Sequence, residues 1–162
     1  MTETRQYVDD ISTRLRAAGY EVELRAIGGM PALTGYRSDF RLRWVASRLH
    51  TFVTVRSVPV VTAGELEAFA QASLEYTKAA KGAMRGVQSG VAAIAVLVGD
   101  RVEEDAAQYA RTQLVRNFAA FAWPVTVDLS TGERSSHRGR PTLGAVFTGW
   151  MRQQIATALP EV

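Results

Sequence analysis

Residues 91–98 read Val-Ala-Ala-Ile-Ala-Val-Leu-Val, an unbroken apolar run between Gly90 and the pair Gly99-Asp100. A run this short cannot cross a bilayer, which takes about 20 residues. The glycines at both ends favour a strand over a helix. A strand that is apolar on both faces must be covered on both faces, which helices on either side of a sheet achieve. This segment therefore points to an α/β chain with residues 91–98 as its central strand.

The flanking patterns supply the remaining layers. Residues 2–18 place Tyr7, Val8, Ile11, Leu15 and Ala18 at helical spacing, and Gly19 stops the helix. Residues 21–27 then alternate polar and apolar, the period of a strand. Residues 28–35 are rich in breakers and read as a connection. Beyond them, residues 40–46 set Phe40, Leu42 and Trp44 on one face against Arg41 and Arg43 on the other, and residues 50–56 are rich in β-branched side chains. The spacing predicts strands over 40–46 and 50–56, joined by a turn near 47–49 and completing an antiparallel meander.

Thr62 and Glu65 have the spacing of a capping box and open a helix over 63–79. Residues 81–90 read as a glycine-punctuated connector. A further helix is expected across 102–114, with Glu103, Glu104 and Asp105 complementing its N-terminal dipole. A strand follows at 124–129, a short edge strand at 133–137 and a last helix over 143–159. Residues 117–124, where Phe118, Phe121 and Trp123 crowd together, read as an apolar connection suited to a pocket wall, a subunit interface or a sheet edge. The predicted fold is a single α/β (α+β mixed) domain over 1–162 around one mixed sheet, in the order α-β-β-β-α-β-α-β-(β)-α.

A chain of 162 residues, 47% hydrophobic and 22% charged, has the length and balance to bury one core without staples. The absence of cysteine removes disulfides, thiolate metal sites, iron–sulfur clusters and a cysteine nucleophile. It fits a reducing compartment, so a cytoplasmic location is expected. The first ten residues are polar, unlike a secretory signal. The formal charge is +3, and all but two of the 19 basic residues are Arg. Arg suits phosphate and carboxylate recognition, but acidic residues are nearly as numerous.

Catalytic constellations are not legible. His50 and His137 lie far apart in sequence without the spacing of a metal site or a triad. Residues 81–90 contain Lys81 and Arg85 among glycines, but they precede a strand and lack the G-K-[ST] ending that opens a helix at a phosphate loop. Weak anion contacts are still expected at Lys81 and Arg85. Arg134, Arg138 and Arg140 surround His137 in a polar turn, and Arg138 and Arg140 are candidate contacts for nucleic acid or an acidic partner. Between residues 25 and 56, Arg25, Arg37, Arg41, Arg43, Arg48 and Arg56 face only one acidic residue, Asp39, making Arg41 and Arg43 candidate nucleic-acid contacts.

The element order over residues 2–129, with a helix before an antiparallel meander and a second helix leading to a buried strand, resembles the core of the restriction-endonuclease-like (PD-(D/E)XK) superfamily. That resemblance implies a divalent metal held by an acidic residue near the second strand and an E-x-K tripeptide in the third. Asp39 matches the first position, but Thr54-Val55-Arg56 stands where the tripeptide is needed. With one carboxylate, Mg²⁺ would lack its protein ligands. No metal, cofactor or catalytic residue is therefore assigned. The sequence supports a non-catalytic interaction or regulatory module, with a homodimer or another protein as partner and no membrane span. The alternatives are a nucleic-acid-binding protein with an Arg-rich face, and a degenerate or divergent hydrolase drawing on Asp39, His50 or Asp128.

Overall fold

A computed structural model describes residues 2–81, 89–117, 119–139 and 145–162. Helix α1 (Glu3–Ala17) starts where the Thr2 hydroxyl accepts from the Arg5 N–H, and it buries Tyr7, Ile11 and Leu15. Strand β1 (Glu21–Ile27) then turns directly into β2 (Met30–Arg41) through Gly28 and Gly29, whose φ values of 59° and 80° give the left-handed pair that a two-residue hairpin requires. A 3-10 turn (Leu42–Trp44) leads into β3 (Ser47–Val61), and α2 (Ala63–Lys81) follows. The Thr62–Glu65 box caps α2: the Glu65 N–H donates to the Thr62 hydroxyl at 3.2 Å, and the Thr62 N–H to the Glu65 carboxylate at 3.4 Å.

Strand β4 (Ser89–Val102) runs parallel to β3, and α3 (Glu104–Thr112) leads through β5 (Val115–Asn117) to β6 (Ala120–Asp128), parallel to β4. Strand β7 (Arg134–Ser135) and helix α4 (Thr148–Ala158), entered by a 3-10 turn (Ala145–Phe147), complete the described chain. The mixed seven-stranded sheet has the order β1-β2-β3-β4-β6-β5, with β7 also on β6. Strand β4 is central, as its apolar run predicts. Ala92, Ile94, Val96 and Val98 face α1 and α4, while Val91, Ala93, Ala95 and Leu97 face α2 and α3. Both faces are buried, so truncating Ile94 or Leu97 to Ala should cost about 2–5 kcal/mol.

Two expectations shift. The second strand is not 40–46 but Met30–Arg41, because the two glycines close the hairpin at once and residues 30–35 are strand rather than connection. Leu42 and Trp44 alternate in sequence but lie on a 3-10 turn, where only Trp44 is buried. Residues 120–124, read as part of an apolar connection, belong to β6, and their crowded side chains are sheet core: Trp123 is buried between the sheet and the α1–α4 layer. Phe118 lies outside the described residues.

Candidate anion-binding site

The hairpin of β2 and β3 places alternate residues on opposite faces of the sheet. On the α1–α4 face stand Arg37, Asp39 and Arg41. Arg37 grips Asp39 with two parallel hydrogen bonds of 2.8 and 2.7 Å and donates to the Ala18 carbonyl at 2.6 Å. The planar guanidinium fork matches a carboxylate in just this way. Its carbon lies 5.0 Å from the Trp150 ring and 5.6 Å from Tyr20, and that of Arg41 lies 5.1 Å from Trp150 and 5.5 Å from Trp44. Trp150 is fixed in turn by donating to the Thr51 hydroxyl at 3.1 Å, and Tyr20 by donating to Gln154 at 2.7 Å. Asp39 and Arg41 are thus parts of one cation–aromatic lattice that seats α4 on the hairpin.

The opposite face of the same hairpin carries Tyr36, Ser38, His50 and Phe52, with Tyr76 and Lys81 reaching over from α2. The Tyr36 hydroxyl and His50 Nδ1 are 2.8 Å apart, and their rings are nearly parallel with centroids 6.0 Å apart. Tyr36 packs on Phe52 at 4.9 Å, and Phe52 meets Tyr76 edge to face at 5.9 Å. The Lys81 ammonium lies 5.0 Å from the Tyr36 ring centroid, and Arg48 donates to the Ser38 hydroxyl at 2.8 Å. His50 is only 2% exposed, and its Nε2 has no hydrogen-bond partner among the described residues. Burial first, and then the positive charges of Lys81 and Arg48, hold its pKa below the usual imidazole range, so it is neutral at pH 7.

Tyr36, Phe52, Tyr76 and Lys81 line a half-open cavity of about 280 Å³, together with Glu21, Glu23 and Arg25 of β1. Glu23 is tied to Arg25 at 2.8 Å. The cavity therefore has an aromatic wall, an acidic rim on the sheet edge and a cationic end where Lys81 overhangs Tyr36. His50 and Arg48 lie outside this lining, His50 bonded to the back of Tyr36 and Arg48 to Ser38, so Lys81 is the cation that faces the cavity opposite the Glu23–Arg25 pair.

The other expected residues go elsewhere. Asp39 and His50 stand on opposite faces of the sheet, and Asp128 lies at the far, C-terminal end of β6, so the three do not meet. Burial alone would raise the Asp128 pKa. Hydrogen bonds from Ser130, the Val102 N–H and the Thr131 N–H outweigh it and hold the carboxylate below its usual range, as a turn-builder. Thr54 shares a 2.8 Å hydrogen bond with Ser73, and Arg56 donates to the Ile27 and Met30 carbonyls while stacking 4.7 Å from Phe69. Both are fastened into the fold. His137 lies edge to face on Trp123 at 5.5 Å, and its pKa is lowered by burial and then by Arg152 and Arg116.

The arginines between residues 25 and 56 do not form a single stripe. Arg25, Arg48 and Arg56 lie on the α2 face, Arg37 and Arg41 on the other, and Arg43 is exposed on the 3-10 turn. Arg138 is exposed, its N–H donating to the Arg111 carbonyl. Arg85 and Arg140 lie outside the described residues. Among the described residues Lys81 and Arg25 stand at the cavity, His50, named in the sequence for hydrolase chemistry, lies behind Tyr36, and Tyr36 and Tyr76 in the cavity wall escape sequence reasoning. Tyr36 falls in the stretch read as a connection, and only the register that sets Ser38 opposite His50 brings Tyr36 to that imidazole. Among the described residues no group of three or more His, Asp or Glu is placed to hold a metal ion, and no helix is long and apolar enough to cross a membrane. No family model matches the chain, and no curated protein and no solved structure is significantly similar to it.

Proposed function

We propose that this chain is a non-catalytic regulatory module that binds a small organic anion in the cavity beneath α2, with the anionic group held by Lys81 and with His50, hydrogen-bonded to the Tyr36 that lines the cavity, standing behind it. The observation that carries this reading is the buried His50 imidazole, kept neutral beside two cations with Nε2 unpaired. An unsatisfied buried polar atom costs about 1–3 kcal/mol, and a shift of Tyr36 on ligand binding would let that atom find a partner. In the tautomer in which Tyr36 donates to Nδ1, the imidazole proton sits on Nε2. A cavity of about 280 Å³ lies at the small end of ligand pockets and suits a compact carboxylate or phosphoryl compound. Tyr36 and Tyr76 would pack against its apolar body.

The resemblance to the restriction-endonuclease-like superfamily stands beside this reading as a proposal. The element order supports it, and the commitment of Thr54 to Ser73 and of Arg56 to the hairpin carbonyls fits a member without metal chemistry. Calorimetric titration with inorganic phosphate and with a simple dicarboxylate tests the anion site. Saturable binding that weakens at least tenfold in Lys81→Ala and in His50→Asn is expected, the loss of one charge-assisted hydrogen bond. Absence of saturable binding, or affinity in both variants equal to the parent's, overturns the reading.

A further inference from the structure

The tip of the β2–β3 hairpin exposes apolar surface that the core does not use. Phe40, Leu42 and Val45 are 51%, 80% and 76% exposed, and Val146, next to the Phe147 ring that meets Trp44 at 5.2 Å, is 51% exposed. These side chains are interleaved with cations. From residue 40 to residue 48 the chain carries Arg41, Arg43 and Arg48 and no carboxylate. The tip is firmly mounted, because Trp44 is buried against Phe147 and Trp150 while Arg41 stacks on it.

The backbone is costly as well. Val45 and Ala46 have φ of 57° and 54°, the left-handed region where a β-branched residue is a genuine outlier. Gly or Asn would satisfy the turn at lower cost. The conformation closes the 3-10 turn, with the Val45 N–H donating to the Leu42 carbonyl, but the exposed valine side chain adds nothing that Gly or Asn would lack.

We propose that this tip docks the protein peripherally on an anionic membrane surface, with Leu42 and Val45 entering the headgroup boundary and Arg43 beside the lipid charges. Charge selects this occupant. A second copy would bring the same arginines against one another, whereas an anionic bilayer attracts each of them. Side-chain type favours a lipid surface over a nucleic-acid strand, since stacking on successive bases calls for several aromatic rings and the tip exposes one, Phe40, beside the more exposed aliphatic Leu42 and Val45. The place in the fold fits too, because β1 pairs with β2 only as far as Tyr36, leaving the end of the hairpin to project beyond the sheet edge. Two aliphatic side chains flanked by cations give shallow, reversible attachment of the interfacial kind. Leu42, Arg43 and Val45 line no part of the anion cavity, which lies on the α2 face with Arg48.

Co-sedimentation of the full chain with vesicles of phosphatidylcholine alone, and of phosphatidylcholine with about one-third phosphatidylserine, tests the inference. Binding to the serine-containing vesicles only, weakening as salt rises, is expected. Val45→Asn relieves the backbone while removing the apolar group, so it should fold at least as stably as the parent and bind at least tenfold more weakly. Arg43→Glu should weaken binding by a similar factor. Phosphate binding should be unchanged in both, which separates failure here from failure at the cavity. Equal sedimentation with both vesicle types, parental vesicle binding by Val45→Asn, or a concentration-dependent dimer abolished by Leu42→Asp would overturn the proposal.

Discussion

At the scale of single residues, Asp39 and His50 illustrate how one hairpin assigns opposite tasks to its two faces. Asp39 receives two hydrogen bonds from Arg37, whose charge also rests against Trp150 and Tyr20. Removing the carboxylate charge would leave a half-buried guanidinium with only aromatic neighbours and the Ala18 carbonyl. Asp39→Asn should therefore lower unfolding free energy by about 1–2 kcal/mol, less than a fully buried pair would lose because solvent screens part of the interaction. Urea unfolding of the two proteins measures it, and an unchanged midpoint would mean that Asp39 is not structural. His50, one strand pair away on the other face, is buried with the Tyr36 hydroxyl at Nδ1 and no charged partner among the described residues.

At the scale of elements, what was legible in the sequence was whatever a periodic pattern decides locally. The apolar run of β4, the amphipathic stripe of α1 and the Thr62–Glu65 cap of α2 all appear where their patterns place them. The second strand was displaced because Gly28-Gly29 can be either the start of a long connection or a complete turn. Only the pairing of β1 with β2 decides between them. That displacement concealed the site: Tyr36 reaches His50 through strand register, a long-range property with no signal in either residue's neighbourhood.

Register also sets close approaches. A Cβ on Gly99, near the end of β4, would lie 2.7 Å from the Arg101 carbonyl oxygen and 2.8 Å from a Val61 methyl. Neither can move without disturbing the β3–β4 ladder. Gly99→Ala should cost about 1–3 kcal/mol, read as a lowered midpoint in thermal or urea unfolding. A neutral result would mean that the strand ends are loosely packed.

For the whole molecule, the buried titratable groups set a pH range of full stability. His50 and His137 have folded-state values below 6.5, so the unfolded chain takes up protons first as pH falls; their contribution is complete above about 6.5 and declines below it. Tyr7, donating to the Pro160 carbonyl at 2.8 Å, is pushed up to about 12, chiefly by burial, and Tyr20 is raised for the same reason. The unfolded chain then loses protons first above pH 10, and stability declines there. Urea unfolding at stepped pH should give a plateau between about 6.5 and 10 with a fall on each side. Stability still rising as pH drops through 6 would contradict the burial of the histidines.

The anion reading is tested most directly at the His50 imidazole, by following both histidine rings by NMR while inorganic phosphate is added. A bound anion offsets the charges of Lys81 and Arg48, so the His50 pKa should rise on saturation, with phosphate affinity strengthening as pH falls toward that value. The His50 signals should move saturably in the parent protein and stay still in Lys81→Ala. His50 signals that do not respond to phosphate, or that respond equally without Lys81, would contradict the account.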